Sequence, residues 1–267
     1  MIDFWSAVIL GIVEGLTEFL PVSSTGHLIL TGHLIGFTGD KAETFEIVIQ
    51  LGAILAIVCL YYDRFLQFVG MSRRKQTQFP RKSITITHLG LAMLPALIAG
   101  FLLHGFIKSH LFTPSTVLIG LAAGGAFMIY AEKKHVLVQA KTMDDLSYKQ
   151  AFQIGLAQCL SLWPGFSRSG ATIAGGLLSG ASLRASADFS FIVAVPMMFA
   201  ASSYDLYKSW ALFEAEDFIV FAVGFIVSFI VALLAVVSFL KLLEKLRLTV
   251  FAYYRFMLAG LFWLFMM

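Results

Sequence analysis

Glu14 and Glu18 stand four residues apart, so a helix would carry both carboxylates on one face. Two carboxylates buried side by side repel; they share a proton, bind a cation or bracket a guanidinium. A divalent ion, Mg2+ or Ca2+, is the reading favoured here, because acidic residues at a phosphate ester commonly hold one. Ser24 and His27 follow, three apart, in the run Ser23-Ser24-Thr25-Gly26-His27. That spacing lets His27 exchange a proton with Ser24, which makes Ser24 a candidate nucleophile and His27 its base or the acid for the leaving group. Far downstream lies Ser167-Arg168-Ser169-Gly170-Ala171-Thr172. Arg168 offers a permanent cation with a forked donor set. A helix beginning at either Ser-x-x-Gly would point unpaired backbone N–H groups at a phosphate oxygen. Ser23, Thr25 and Gly26 on one side, and Ser167, Ser169 and Thr172 on the other, would line that anion site.

A Ser-x-x-His spacing is a weak signal alone; its setting strengthens it. Of 267 residues, 59% are hydrophobic, 13% are charged and 26 are Phe, with a mean hydropathy of +0.85. A soluble domain carries about 25% charged residues. A soluble enzyme, a disordered chain and a secreted disulfide scaffold are therefore excluded, and the composition reads as an all-α integral membrane protein. Cys59 and Cys159 form no metal or disulfide pattern. A net charge of +3 gives no reason to expect nucleic acid as a partner.

A hydrocarbon core needs about 20 apolar residues per helix. Six segments qualify: 44–62, 86–107, 112–131, 186–206, 217–242 and 249–267. Pro95 and Pro196 fall inside two of them and are expected to kink them. The start, Met-Ile-Asp-Phe-Trp, lacks the basic region of a cleavable signal peptide. Two further apolar segments, 4–36 and 151–181, are broken by Pro, Gly and charge, and they contain the two polar clusters. Broken helices at membrane depth are tolerated where protein or a wet cavity surrounds them. Both segments therefore read as re-entrant helical hairpins.

Arg64, Arg73, Arg74, Lys75, Arg81, Lys82, Lys133, Lys134, Lys141, Lys149, Arg184, Lys241, Lys245 and Arg247 fall on one side of these spans, against Lys41, Lys108 and Lys208 on the other. Basic loops stay in the cytoplasm, so both termini are expected outside. A shift of 144 residues lays Gly11 on Gly155, Ser23 on Ser167, Gly26 on Gly170 and Gly36 on Gly180. The single membrane domain, 1–267, thus reads as an inverted-topology repeat: residues 1–110 with hairpin 4–36, and residues 145–267 with hairpin 151–181. In such repeats a polar site forms near the midplane.

Plainer roles compete for several residues. Thr17, Ser161 and Ser169 are expected to bond to backbone carbonyls, and Gly11, Gly32, Gly175 and Gly176 to allow close helix packing. His33, His88, His104, His110 and His135 read as interfacial or loop residues. Gln50 either lines the cavity or bonds to a neighbouring helix. Arg255 is expected to snorkel to the cytoplasmic interface beside Tyr253 and Tyr254.

The stretch from Glu14 to His27, together with Pro164-Gly165-Phe166-Ser167-Arg168-Ser169-Gly170-Ala171-Thr172, closely resembles the bacterial undecaprenyl-pyrophosphate phosphatases of the bacitracin-resistance type. The resemblance covers essentially the whole chain. It implies removal of the terminal phosphate from undecaprenyl pyrophosphate, which recycles the monophosphate carrier for cell-wall synthesis and confers bacitracin resistance. It further implies a multi-pass protein of the bacterial cytoplasmic membrane, dependent on a divalent cation, with Glu14, Glu18, Ser24, His27 and Arg168 as core site and Ser23, Thr25, Ser167 and Thr172 in support. Two chemical routes stay open: attack by Ser24, or attack by water oriented by His27 and Glu18. A transporter or flippase for the prenyl phosphate lipid, alone or combined with hydrolysis, is the rival reading. The sequence leaves a homodimer open.

Overall fold

The computed structural model describes residues 3–71, 83–111, 113–134, 136–209, 217–243 and 245–266. Arg73, Arg74, Lys75, Arg81, Lys82 and His135 lie outside them. Eleven α-helices follow one another among the described residues, and no strand is present there: α1 Phe4–Thr17, α2 Ser24–Leu34, α3 Asp40–Leu60, α4 Tyr62–Phe68, α5 Ile86–Phe106, α6 Pro114–Lys133, α7 Tyr148–Gln158, α8 Arg168–Leu178, α9 Leu183–Ser209, α10 Asp217–Leu242 and α11 Leu248–Met266.

Five of them, α3, α5, α6, α9 and α10, are long and apolar enough to cross a bilayer. The chain is thus a multi-pass membrane protein. The sixth expected span, 249–267, falls on α11, whose apolar stretch Leu248–Leu264 is shorter than the others. Pro95 and Pro196 lie inside α5 and α9 without ending either helix. At ~1.5 Å per residue, the 11 residues of α2 and of α8 reach about half of a ~30 Å hydrocarbon layer.

The helices pack through small residues. Gly11 of α1 faces α10 so closely that a Cβ there would stand 2.8 Å from the Gly224 carbonyl oxygen, and Gly155 of α7 faces α5 with the corresponding distance 2.7 Å to the Ala92 oxygen. A side chain at either place would push the pair apart. These two glycines are 144 residues apart, so the shared spacing of the sequence reappears as a shared packing role. Helix α9 lies deepest, with 61% of its spanning stretch buried against 22% for α5. Its Phe191 packs edge-on against Phe19, beyond the end of α1, with ring centroids 5.5 Å apart. Outward-facing apolar side chains such as Trp5, Phe101 and Phe218 are left for lipid.

Polar ties close the loops. Arg64 meets Asp144 in a two-pronged ion pair, and Asp144 also accepts from the Ile84 amide, which fastens α4 to the start of α5. Glu132 of α6 accepts from the first amides of α11, Leu248 and Thr249, and from the Thr249 hydroxyl. The carboxylate thereby stands at the positive end of that helix. His88, expected at an interface, is buried instead: its Nε2–H donates to the Leu146 carbonyl at 3.0 Å, and its ring lies on Tyr148.

Candidate active site

Two bends carry the polar residues. In the first, α1 ends at Thr17, whose hydroxyl bonds back to the Val13 carbonyl, and the chain turns through Glu18 to Ser23. Ser23 caps α2: its hydroxyl accepts from the Gly26 amide. In the second, α7 runs through a short 3-10 turn, Cys159–Leu162, and then bends through Trp163 to Ser167. Ser167 caps α8 and accepts from the Gly170 amide at 3.1 Å. Ser23 and Ser167 have φ of 73° and 74°, the two positive values among described non-glycine residues. Such left-handed backbone costs an L-residue about 1–2 kcal/mol, and the neighbouring contacts hold both in place.

The two bends meet. Arg168, at the start of α8, donates through Nη2 to Glu18 Oε1 at 3.0 Å, and both side chains are largely buried. The other oxygen of Glu18, Oε2, accepts from the Ser24 hydroxyl at 2.5 Å. Glu18 thus joins the cation of one segment to the hydroxyl of the other. Ser169 adds a second bridge, donating to the Leu20 carbonyl at 2.9 Å. Arg168 also lies 5.5 Å from the Phe19 ring and donates to the Ser190 carbonyl.

A cavity of about 150 Å3 opens where they meet. Glu18, Ser23, Ser24, Thr25, Ser167 and Arg168 line it, as the motifs led one to expect. Gln50, Ser161, Trp163, Pro164, Gly165 and Met198 complete the wall. Gln50 therefore faces the cavity and bonds to a neighbour at once: its Oε1 accepts from the Ser202 hydroxyl at 2.9 Å.

Five expected residues do not line the cavity: Glu14, Thr172, Ser169, Gly26 and His27. Thr172 is fully buried, its hydroxyl shared between the Arg168 carbonyl and Ser190 of α9, so it supports α8 rather than facing the cavity. Ser169 is occupied by Leu20. Gly26 packs against Leu121, and its amide is taken by Ser23. His27 does not pair with Ser24. Its Nδ1 stands 2.8 Å from the Ser23 carbonyl and its Nε2 2.7 Å from the Tyr254 hydroxyl of α11, so both ring nitrogens are engaged away from Ser24. One helical turn separates His27 from Ser23, which brings the ring back over the capping residue.

Glu14 lies one turn before Glu18 and is buried, and neither of its oxygens has a hydrogen-bond partner among the described residues. The Nε of Arg168 is in the same position. Buried polar atoms left unpaired are costly unless a ligand completes them. A pair of carboxylates is a donor set for Mg2+, which takes one or two of them and fills its shell with substrate phosphate and water. Among the described residues no three acidic, His or Cys side chains cluster for a metal, so those further ligands would have to come from substrate and solvent.

Arg255 departs most from expectation. It does not snorkel; it is the largest fully buried side chain of the molecule's described part. Its guanidinium donates to the carbonyls of Gly120 and Leu121 in α6 and of Gly165 in the second bend, the last at 2.7 Å. Gly124 leaves room for it, since a Cβ there would collide with the guanidinium. Trp163 Nε1 donates to the Thr116 carbonyl and fastens the same bend to α6.

Comparison with known proteins agrees with this geometry. The model of the family described as bacitracin resistance protein BacA matches residues 7–261. Proteins named undecaprenyl-diphosphatase 1 from Bacillus thuringiensis subsp. konkukian (strain 97-27), Bacillus anthracis and Bacillus thuringiensis (strain Al Hakam) are each 55% identical over 267 residues, covering 100% of both chains. A match of that extent, on a chain whose Glu18, capping serines and Arg168 meet at one cavity, places this protein in the bacitracin resistance protein BacA family.

Proposed function

We propose that this chain is an undecaprenyl-diphosphate phosphatase, hydrolysing undecaprenyl pyrophosphate to undecaprenyl phosphate and phosphate in the bacterial cytoplasmic membrane. The observation that carries this reading is Glu18, which accepts from Ser24 through one oxygen and from Arg168 through the other. Nucleophile and anion-binding cation share one carboxylate, itself the proton acceptor, at the cavity wall. The relatives' printed name supplies the substrate class.

In the mechanism we favour, the diphosphate head enters the cavity while the prenyl chain stays in lipid. Arg168, with its unpaired Nε, and the amides at the start of α2 and α8 hold the phosphate oxygens and stabilise the charge of the transition state. Ser24 attacks the terminal phosphorus as Glu18 takes its proton. The Oγ–P bond forms, the bond from phosphorus to the bridging oxygen breaks, and undecaprenyl phosphate leaves. Water then attacks the phosphoserine phosphorus, the Oγ–P bond breaks, and the proton held by Glu18 returns to Ser24 Oγ as phosphate leaves. His27 holds the Ser23 carbonyl and so fixes the bend that aims Ser24. Glu14 and Glu18 would hold Mg2+ or Ca2+, which neutralises phosphate charge and polarises the phosphoryl group.

The architecture that suits this chemistry has α1–α2 and α7–α8 as re-entrant hairpins from opposite faces, related as inverted halves. Support comes from the brevity of α2 and α8 and from the matching caps at Ser23 and Ser167. The basic loops would face the cytoplasm and both termini the outside. Release of phosphate by the purified chain from a prenyl diphosphate, abolished by Ser24→Ala, tests the reading. A protein that only transports the lipid would release none.

A further inference from the structure

His27 is held at both ring nitrogens. A carbonyl oxygen only accepts, so the Nδ1 that lies 2.8 Å from the Ser23 oxygen carries the proton. In the neutral ring Nε2 then accepts, and its partner at 2.7 Å, the Tyr254 hydroxyl, must donate. The two rings lie nearly parallel, 7° apart with centroids 5.6 Å distant, so Tyr254 fixes the plane of the imidazole as well as its tautomer. The Ser23 oxygen that receives Nδ1–H belongs to the residue with φ of 73°, immediately before Ser24.

We propose that Tyr254 is a positioning residue for hydrolysis, acting through His27 to hold the strained Ser23 bend and thereby aim the Ser24 hydroxyl. The relay runs from a phenol on α11, through an imidazole on α2, to the peptide that precedes the nucleophile. It rests on the reading of Ser24 as nucleophile given above. Without the phenol, Nε2 loses its donor and the ring is free to move its proton to Nε2, which releases the Ser23 carbonyl. A misplacement of about 1 Å at a reacting group costs on the order of a hundredfold in rate; loosening the bend without removing it should cost less.

The test is Tyr254→Phe in the full chain, which keeps the ring contact and removes only the hydroxyl. Histidine labelled with nitrogen-15 reports the tautomer directly, with the His27 signals assigned by their loss in His27→Gln. The unaltered chain should show His27 protonated at Nδ1, and Tyr254→Phe should show proton exchange toward Nε2. Phosphate release from a short-chain prenyl diphosphate should fall about tenfold in kcat with KM held within about twofold. In the His27→Gln background, Tyr254→Phe should cause no further loss. An unchanged tautomer in Tyr254→Phe, or an equal loss in the His27→Gln background, overturns the relay. A shifted tautomer with unaltered kcat also overturns it as a device of hydrolysis, while showing that the failure lies in the role given to His27 and not in the bond to Tyr254.

Discussion

Ser23 and Ser167, 144 residues apart, adopt nearly the same left-handed backbone and perform the same task, each capping an 11-residue helix by accepting from the amide three residues on. Neither is a glycine, although glycine would adopt that conformation freely. The hydroxyl is therefore what the position requires. Replacing a capping serine by alanine removes the cap and keeps the strain, for about 1 kcal/mol. Replacing it by glycine removes both. Thermal unfolding in detergent should show Ser167→Ala lower in Tm than Ser167→Gly.

Glu18 sits between Arg168 and Ser24, so its loss does two things. Phosphate release should fall by orders of magnitude in Glu18→Ala, and the buried guanidinium left behind should cost about 3–5 kcal/mol of stability. Ser24→Ala should lose comparable activity at nearly unchanged Tm, because a half-buried hydroxyl carries little of the fold. Arg168→Lys should not rescue Arg168→Ala, since one ammonium nitrogen cannot stand at once where Nη1 meets the Ser190 carbonyl and where Nη2 meets Glu18. Parallel assays of phosphate release and unfolding separate these outcomes.

Glu14 carries two buried oxygens without a partner among the described residues, which suits a ligand to the divalent ion we propose. Glu14→Gln keeps the shape and removes the charge. The Mg2+ concentration for half-maximal phosphate release should rise by about tenfold or more, as a ligand loss predicts. A chelator should silence the unaltered chain. An unshifted Mg2+ titration in Glu14→Gln would remove Glu14 from the metal.

Gln50 faces the cavity while its oxygen accepts from Ser202. That bond fixes how the amide is turned at the cavity wall. Ser202→Ala frees the amide to rotate, and KM should rise about three- to tenfold with kcat little changed, the mark of a contact made equally in ground and transition states. Steady-state kinetics on a short-chain prenyl diphosphate gives both parameters.

Gly155 tolerates no side chain against the Ala92 carbonyl. Gly155→Ala should destabilise by about 1–3 kcal/mol, the usual cost of overpacking. Thermal unfolding reads it, and activity per folded molecule should be retained.

Much of this is legible from residues alone. A buried arginine needs an anionic partner, and two acids four apart in another apolar segment supply one; the Glu18–Arg168 pair follows from charge and solvent. The doubled Ser-x-x-Gly announces two capped helices, because serine before a helix has one dominant use. Spacing over-reads the hydroxyl of Thr172 as a phosphate ligand, since inside a helix it finds the carbonyl one turn back. Ser169 finds a carbonyl as the plainer reading expects, though on the other bend, at Leu20. Nearness in sequence pairs His27 with Ser24, whereas its second partner, Tyr254, lies 227 residues away on α11. Nothing in local spacing reveals that. Arg255 reads as interfacial because an arginine two turns into an apolar helix usually reaches out. Three carbonyls of α6 and the second bend draw it inward instead; Gly124 leaves room for the guanidinium, and Gly120 lets the bend at Pro164 come close to α6. That cluster of glycines is the signal the sequence offers.

Tyr254 and Arg255 are neighbours on α11, yet one reaches the first bend through His27 and the other grips the second at Gly165. A single C-terminal rod therefore acts as a yoke across both arms of the molecule. Turning or sliding it by even one residue would slacken both at once, so a compound wedged against that rod should disarm the enzyme without ever entering the chamber proposed for the chemistry.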